Sequence, residues 1–423
     1  WLRVQATNSG FLTLEAMTAA RGAGFRIDVY DDDLRSLGST TGARVDARVT
    51  ADATYLIRIS GNVAELDLRA VNVVDLSSGR LVVHGTSASD DYAIDAGRTL
   101  DVRVGAVSYS FDLSQVRSIQ MTGGAGSDSL TLTGDGQRDF FRLTLGSGNW
   151  DRSTFSARFV GFETIAAIGG GGNDSLILTG SAGNDTLVGS ASFVSLTSGA
   201  RQTTVAGIAD FTAFGGGGVD SASLSGTTGN DRFWARSNNA TLFASEHRQF
   251  LADFDHIAFD ATQGGFDSIW MSDTEGNDVA TLGVGSASIS GAGYSITATG
   301  FESQSVQSMR GGSDSVTFTD SAGNDTFFAT TSAADMKGSG YYHIARGFAS
   351  VTATSSGQAG DVATLLDSAG SDLLDAGFAS TTLSGRGFSN EVRGFASVWA
   401  HGGTGNAIDA AQFRDSAGDD RFY

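Results

Sequence analysis

Aspartates that follow glycine-rich turns are the residues of this chain best suited to do chemistry. Asp128 follows the glycine-rich residues 123–127, Asp174 follows residues 169–173, and Asp185 ends a Gly-Asn-Asp triplet. Glycine lets a turn direct its backbone carbonyls inward, and aspartate supplies the hard oxygen ligand that Ca²⁺ prefers. The pattern therefore predicts calcium at Asp128, Asp174 and Asp185, with the turns before Asp128 and Asp174 as the best-preserved motifs.

A second interpretation of these turns needs no metal. Asn and Asp side chains accept hydrogen bonds from nearby backbone amides, so repeated copies can form stacked turn ladders. Residues 123–131 and 169–177 resemble the nine-residue calcium-binding β-roll repeat of RTX proteins, and that resemblance implies calcium. RTX repeats follow one another directly, whereas here the Gly-Asn-Asp after Asp174 ends only at Asp185, and the motif then waits for the next repeat. The calcium and ladder interpretations therefore both stay open.

Other site chemistry has little support in the sequence. The five histidines lie at unrelated positions and show no ligand spacing, which argues against zinc. No Gly-x-Ser-x-Gly nucleophile motif occurs in a strand-to-helix context. Trp234 and residues 341–343 fall outside the core alternation, and they are either sugar-stacking aromatics or incidental surface residues. We predict no catalytic residue, because the acids repeat evenly while catalysis normally needs one unrepeated constellation.

The elements that position these acids form a repeat of 46–47 residues. The first aspartate of the repeat recurs as Asp128, Asp174, Asp220, Asp267, Asp314 and Asp361. The second recurs as Asp139, Asp185, Asp231, Asp278, Asp325, Asp372 and Asp420. A third marker recurs as Phe162, Phe254, Phe301, Phe348 and Phe395, with Ile208 in the remaining copy, and it predicts a stacked apolar core. Three markers with one period identify a repeat protein.

Short alternating apolar runs separated by Gly, Ser, Asn and Asp predict strands joined by tight turns. A single coil as long as the whole repeat would have a perimeter of about 150 Å, which is too wide for side chains to fill. We therefore predict an all-β fold in which a parallel β-helix or β-solenoid has two coils in each repeat. That count gives about fourteen coils.

The amino-acid composition limits the classes of binding partner and metal site that the chain can have. Formal net charge is −20, from 47 acidic and 27 basic residues, which disfavours nucleic acid and anionic membranes but leaves divalent cations as partners. The chain has no cysteine, so disulfides and thiolate metal sites are excluded. It also has no proline, as suits a chain whose backbone is mostly paired strand. No apolar run reaches the roughly 20 residues that a membrane-spanning helix needs.

Three regions follow from the pattern. Residues 1–77 show short alternating strands that predict a jelly-roll-like β-sandwich. Their blocks Trp-Leu-Arg-Val, Gly-Phe-Leu-Thr-Leu-Glu, Ile-Asp-Val-Tyr-Asp and Thr-Tyr-Leu-Ile-Arg-Ile-Ser-Gly resemble pre-peptidase C-terminal (PPC-like) domains, accessory modules of secreted bacterial proteins. Residues 79–127 form an atypical first repeat, expected to cap the solenoid. Residues 128–423 hold the fuller repeats, the last of which is incomplete.

Motifs such as Asp-Ser-Ala-Gly-Asn-Asp at 320–325 resemble repeats of very large secreted planctomycete-type surface proteins. That resemblance implies a bacterial extracellular or cell-surface location. We expect a non-enzymatic structural or adhesive protein, with a polysaccharide-active enzyme or a carbohydrate-binding β-helix as the alternative. The expected partners are copies of the chain itself, joined head to tail through residues 409–423, or other surface proteins and polysaccharide. A longer polypeptide is the other explanation of the unfinished last repeat.

Overall fold

Short strands with alternating burial form nearly all the regular structure. The computed structural model describes residues 1–18, 24–62, 66–208, 210–244, 247–403 and 408–414. In a strand such as Ser129–Thr133, the leucines point inward and the threonines outward, as the two-residue period of a strand requires. One short 3₁₀ helix occurs within the described residues, at Leu113–Gln115. The predicted all-β class is confirmed.

The chain forms two compact units. Residues 1–175 and 199–207 make the N-terminal unit, and residues 176–198 and 208–423 make the C-terminal unit. Within the described residues, no helix has the length and apolarity needed to cross a bilayer.

The first strands form antiparallel pairs around a small apolar core. They are β1 (Leu2–Gln5), β2 (Gly10–Thr18), β3 (Phe25–Tyr30), β4 (Ser36–Thr40), β5 (Arg44–Val49), β6 (Thr54–Gly61) and β7 (Asp67–Ser77). One four-stranded sheet has the order β1-β6-β3-β4, while β2 pairs with β5 and β7. Leu14, Ile27, Ala47 and Ile57 from both groups share one buried cluster. A small antiparallel sheet thus precedes the solenoid.

The solenoid strands follow in chain order. They are β8 (Arg80–Val83), β9 (Asp91–Ala96), β10 (Thr99–Val104), β11 (Val107–Asp112), β12 (Ser118–Thr122), β13 (Ser129–Thr133), β14 (Phe140–Thr144), β15 (Ser147–Asp151), β16 (Ser156–Val160), β17 (Thr164–Ile168), β18 (Ser175–Thr179), β19 (Thr186–Gly189), β20 (Phe193–Ser198), β21 (Arg201–Ala206), β22 (Phe211–Phe214), β23 (Ser221–Ser225), β24 (Asp231–Arg236), β25 (Asn239–Ala244), β26 (His247–Ala252), β27 (His256–Asp260), β28 (Ser268–Ser272), β29 (Val279–Gly283), β30 (Ser286–Gly291), β31 (Tyr294–Thr299), β32 (Ser303–Gln307), β33 (Ser315–Thr319), β34 (Thr326–Ala329), β35 (Ala333–Gly338), β36 (Tyr341–Arg346), β37 (Ser350–Thr354), β38 (Val362–Leu366), β39 (Leu373–Ala376), β40 (Thr381–Gly385), β41 (Phe388–Arg393), β42 (Ser397–His401) and β43 (Ala410–Phe413).

The prediction of two coils in each repeat is wrong, because one turn takes about 36 residues. Parallel partners are four strands apart in the chain: β13 pairs with β17, β28 with β32 and β32 with β36. In these pairs Ser129 lies opposite Thr164, and Ser303 lies opposite Tyr342. The described chain makes about nine such turns rather than fourteen.

The 46–47-residue repeat differs from the turn because it contains five strands. In the repeat β28–β32, the outer strands pair in parallel in one sheet, and β29, β30 and β31 form an antiparallel meander in the other. In the next repeat, β33 pairs with β29, so the meander β34–β36 lies in the opposite sheet. Because of the antiparallel meander, each parallel partner lies four strands later in the chain, whereas equivalent strands of successive repeats lie five strands apart. Equivalent strands such as β28 and β33 therefore do not pair with each other.

Residues 79–127 already follow this five-strand pattern. Strands β8 and β12 pair in parallel, and β9, β10 and β11 form an antiparallel meander. Strand β7 pairs antiparallel with β8 through the turn at Ser78 and Gly79, which joins the N-terminal strands to the solenoid sheet. This first repeat is therefore atypical in sequence but regular in strand order.

Most of the predicted core markers are buried. Phe162, Phe254, Phe301, Phe348 and Ile208 are all at most 4% exposed, while Phe395 is only half-buried. At the other end, β43 pairs in parallel with β39 of the same chain. Of the predicted unfinished repeat at residues 409–423, residues 415–423 with the marker Asp420 lie outside the described residues.

Candidate metal centre

The Gly-Asn-Asp turns connect successive turns of the solenoid by reciprocal hydrogen bonds. The Asn184 Oδ1 accepts the backbone N–H of Val219 at 2.9 Å, while the Asp220 Oδ1 accepts the backbone N–H of Asp185 at 2.7 Å. The same pair of bonds joins Asn277 to Ser313 and Asp278 to Asp314. The first aspartate marker of one repeat thus accepts from the second marker of the previous repeat, 35 or 36 residues earlier. These turns do form stacked ladders, as the non-metal interpretation predicted.

Asp128, the first predicted calcium ligand, is buried in such a ladder. Its Oδ1 accepts the Asp90 N–H at 2.8 Å, and its own N–H donates to the Glu163 carboxylate at 2.9 Å. Its Oδ2 has no hydrogen-bond partner among the described residues. Burial raises the pKa of Asp128, and the charges of Asp90 and Glu163 act in the same direction.

Asp174 and Asp185 occupy two further ladder contacts, so the three predicted ligands do not meet at one site. The Asp174 Oδ1 accepts the Asp139 N–H at 2.7 Å. The Asp185 carboxylate accepts the N–H and the hydroxyl of Ser181, inside its own turn. Calcium at these three residues stays a prediction.

The N-terminal unit places an arginine inside its aspartate ladder. Arg152 is 1% exposed, its Nε lies 2.8 Å from the Asp139 Oδ1, and it also pairs with Asp135. The Trp150 Nε1 donates to the same Asp139 oxygen at 2.9 Å. Burial raises the pKa of Asp139 to about 6, against the opposing effects of Trp150 and Arg152, so the carboxylate is ionised at neutral pH. An internal cation therefore balances part of this buried charge.

The C-terminal unit instead assembles three groups of three aspartates. In each group, one carboxylate oxygen per residue lies within 4.8 Å of the other two. Triad 1 is Asp273, Asp278 and Asp314; triad 2 is Asp320, Asp325 and Asp361; triad 3 is Asp367, Asp372 and Asp409. The first member of each triad stands where the earlier turns have Gly134, Gly180 and Gly226. A single Gly-to-Asp change, repeated three times, thus converts a ladder pair into a triad.

Triad 1 is the most enclosed. Its three aspartates are at most 3% exposed. The Asp273 Oδ2 accepts the N–H groups of Met309 and Arg310 at 2.9 and 3.1 Å, whereas its Oδ1 has no partner among the described residues. Burial raises the pKa of Asp273, against the hydrogen bonds that it accepts.

Triad 2 repeats this arrangement in the next sequence repeat. The Asp320 Oδ1 accepts the Ser356 N–H at 2.7 Å, and its Oδ2 has no partner among the described residues. Burial raises the pKa of Asp320. Burial also acts to raise the pKa of Asp361, but hydrogen bonds from the Ser355 hydroxyl and the Asp325 and Gln358 N–H groups hold it below its usual value.

Within the part of the chain that the structure describes, triads 1 and 2 have no ion-paired positive side chain. Among the described residues, no Arg, Lys or His nitrogen forms an ion pair with any of their six carboxylates. At an effective dielectric constant of 20, two unit charges 4.8 Å apart repel by roughly 3–4 kcal/mol, and closer charges repel more strongly. The ionised triads are therefore destabilising unless a proton or a cation joins them.

A glycine and a tyrosine complete each of the first two triads. The Tyr294 hydroxyl donates to the Asp278 Oδ1 at 2.8 Å, and the Tyr341 hydroxyl donates to the Asp325 Oδ1 at 2.9 Å. A Cβ at Gly338 would lie 1.7 Å from that Asp325 oxygen, so only glycine leaves room for the contact. In triad 3 the tyrosine position holds Phe388, and the buried Asp372 Oδ1 has no partner among the described residues.

Buried polar side chains also support the hairpins. Thr203, Gln249 and Asn390 donate to the hairpin carbonyls of Thr144, Ser190 and Thr330 at 2.7–2.9 Å. At the corresponding position, His343 is fully buried, and neither ring nitrogen has a hydrogen-bond partner among the described residues. The corresponding carbonyl, Gly283, accepts from Gln304 instead. Burial lowers the pKa of His343 to about 4.

The sequence analysis did not identify the first aspartate of each triad, and it wrongly placed Tyr341 and His343 at the surface. Tyr341 and His343 are buried, so the prediction of surface residues across 341–343 is wrong except for Tyr342, which is 41% exposed. Tyr341 is oriented inward because its strand closes a hairpin over Asp325. The signal for the triads was present in the sequence, since Asp replaces Gly at 273, 320 and 367.

Comparison with known families and curated proteins adds no relative: no family model matches the chain, and no curated protein matches it.

Proposed function

We propose that this protein is a non-enzymatic structural or adhesive β-solenoid of the bacterial cell exterior, stabilised by a divalent cation for which Ca²⁺ is the best candidate. The observation that carries the proposal is the repetition of the acidic clusters. The triads recur with the period of the sequence repeat, and their members also hold the turns together by backbone hydrogen bonds. Groups that recur with the architecture serve the architecture, whereas a catalytic site occurs once.

One unrepeated cluster supports the enzymatic alternative. Asp135, Asp139 and Asp174 lie near Arg152, which is the combination of carboxylates and arginine that a polysaccharide lyase groove would need. Arg152 and Asp139 are at most 1% exposed, however, so a substrate cannot contact them without local unfolding. The burial favours a structural ion pair.

A carbohydrate-binding role has its own supporting observation. Trp234 is 59% exposed, and its ring centroid lies 6.3 Å from that of Trp270 and 5.9 Å from that of Phe243. Exposed aromatic rings can stack on sugars. The rings are inclined by 58° and 74°, so they do not share the flat surface that a polysaccharide chain would cover. This role is therefore second to the structural one.

The exterior location and the partners belong to the same proposal. The resemblances to PPC-like domains and to planctomycete-type surface repeats support an extracellular, cell-surface setting. The net charge of −20 favours solubility and disfavours nucleic acid. Copies of the chain, other surface proteins or polysaccharide are the proposed partners.

Two measurements test the proposal together. Antibody labelling of intact source cells should detect the protein without permeabilisation. The purified chain, incubated with acidic and neutral polysaccharides, should release no new reducing ends and no unsaturated products. Turnover by the wild type that is lost in Asp135→Asn would overturn the structural proposal, and labelling only after permeabilisation would overturn the location.

A further inference from the structure

We propose that triad 1 (Asp273, Asp278, Asp314) and triad 2 (Asp320, Asp325, Asp361) each bind one Ca²⁺ ion between successive turns of the C-terminal unit. The inference deepens the proposed structural function by assigning its cation to specific residues. These residues differ from the glycine-rich turns before Asp128 and Asp174, which the sequence motif favours.

The unpartnered oxygen of Asp273 is the first argument. Asp273 is 1% exposed, and its Oδ2 is held by two backbone N–H groups of the next turn. Its Oδ1 is left inside the protein without a donor among the described residues. A buried carboxylate oxygen normally has a hydrogen bond, an ion pair or a metal, because each missing partner costs the desolvation energy of the group. A cation bound by the triad supplies the missing partner.

Charge balance also favours a bound cation at triad 1. Triad 1 gathers three buried carboxylates without an ion-paired Arg, Lys or His among the described residues. The N-terminal unit, with the related carboxylates of Asp135, Asp139 and Asp174, places the Arg152 guanidinium among them. Arg152 and Gly291 occupy the same position relative to the second aspartate marker of their repeats. Triad 1 therefore has a glycine where the N-terminal unit has the arginine. Where the chain lacks its own cation, a bound cation can replace it.

The spacing of the carboxylate oxygens also admits a calcium ion. Ca²⁺ binds oxygens at about 2.3–2.6 Å, so oxygens on opposite sides of one ion are about 4.8 Å apart. The carboxylate oxygens of each triad lie within 4.8 Å of one another, which is the spread that a single calcium ion can span. Mg²⁺ needs shorter bonds of about 2.0–2.1 Å and stricter octahedral geometry. The spacing therefore admits one calcium ion, and calcium is preferred to magnesium because its coordination geometry is the more flexible.

The test uses the full chain after chelation and dialysis. Isothermal titration with CaCl₂ should show binding at triads 1 and 2 with a Kd between about 10⁻⁵ and 10⁻³ M, and MgCl₂ should bind at least tenfold more weakly. Calcium should raise the melting temperature by several degrees over the value in EDTA.

Asp273→Asn and Asp320→Asn separate the triads from other acids. Each variant should lose one calcium ion, and the double variant should lose both. In EDTA each variant should melt no lower than the wild type, because the substitution removes like-charge repulsion while the amide oxygen keeps its place. The matched control is Asp220→Asn, which changes an aspartate with the same ladder bond that belongs to none of the three triads. Its calcium binding should equal that of the wild type.

Three results would overturn the inference. The first is a melting curve that EDTA leaves unchanged, together with no binding heat, which would indicate that the carboxylates share protons instead. The second is a double variant that binds as much calcium as the wild type. The third is an equal loss in Asp220→Asn. The first result would also remove the divalent cation from the proposed function. None of the three would remove the structural or adhesive role, which is tested separately by surface labelling and polysaccharide turnover.

Discussion

Asp139 and Asp325 occupy the same position in two repeats, yet the two units stabilise them in opposite ways. Asp139 has Arg152 beside it, with Phe155 three residues later. Asp325 has Gly338 and Tyr341 at these positions, and a phenol hydroxyl replaces the guanidinium. The same backbone ladder thus tolerates an internal cation or a neutral donor. The comparison shows that ladder geometry is set by the turns, while charge balance is set by two side chains outside them.

Removal of the internal cation should have the largest effect. Arg152→Ala should destabilise the N-terminal unit by about 3–5 kcal/mol, because Asp139 would be left buried and unpaired. Urea unfolding gives the size of the effect, and peptide-resolved hydrogen exchange locates it around β14–β16. Arg142→Ala is the matched control, since Arg142 forms a half-exposed pair with Asp151 and should cost at most about 1 kcal/mol. Equal effects of the two variants would remove the contrast between the units.

Acid should destabilise the C-terminal unit, because protonation would place a charge on the buried His343. The folded-state pKa of His343 is about 4, below its ordinary 6.5, so its stabilising contribution is complete above pH 6.5 and is lost as the pH falls towards 4. The loss is on the order of 2–3 kcal/mol. His343→Ile, which copies Ile296 of the preceding repeat, should remove this dependence.

The measurement is the difference between wild type and His343→Ile in urea unfolding from pH 7 to pH 4, in EDTA. Burial raises the pKa values of Asp273 and Asp320, so protonation of these two aspartates adds stability as the pH falls. Both proteins contain these aspartates, so their contribution cancels in the difference. Parallel curves would show that His343 does not stay neutral and buried.

The smallest effect concerns the tyrosine donor. Phe388→Tyr should stabilise the chain by about 0.5–1.5 kcal/mol, because the new hydroxyl would reach the unpartnered Asp372 Oδ1. The reverse change, Tyr341→Phe, should cost about 1–3 kcal/mol by removing the donor to the buried Asp325. Thermal melts in EDTA compare the two. A stabilising Tyr341→Phe would contradict the role of the phenol in this unit.

Local features were predictable from the sequence. The strands after the first aspartate markers, such as Ser175–Thr179, and the burial of Phe162, Phe254 and Phe301 follow from alternation and spacing. Turn residues have local conformational preferences, which explains why the ladders could be anticipated. The number of residues in one turn could not be read from the period, since that number depends on which strand pairs with which. The antiparallel pairing of β29 with β30 leaves no mark on the repeat length.

The candidate site was only partly predictable for a related reason. Asp273 belongs to an ordinary-looking turn, and its burial depends on Met309 and Arg310, which lie 36 and 37 residues further along. The inward orientation of Tyr341 depends on its hairpin partner Gly338. Contacts between residues so far apart in the chain are set by tertiary pairing, which overrides local pattern. The Gly-to-Asp changes were visible, but their meaning needed the fold.

The mismatch between a five-strand repeat and a four-strand turn has a consequence for how such a chain can grow. Gene duplication copies the whole sequence repeat. The meanders of successive repeats lie alternately in the two sheets, so one added copy moves every later meander to the other sheet. Gain or loss of one copy would move the exposed side chains of every later repeat to the opposite sheet. Gain or loss of two copies, such as the segment from Asp220 to Asp314, would restore it. Selection that maintains a functional surface should therefore favour the gain or loss of an even number of repeats.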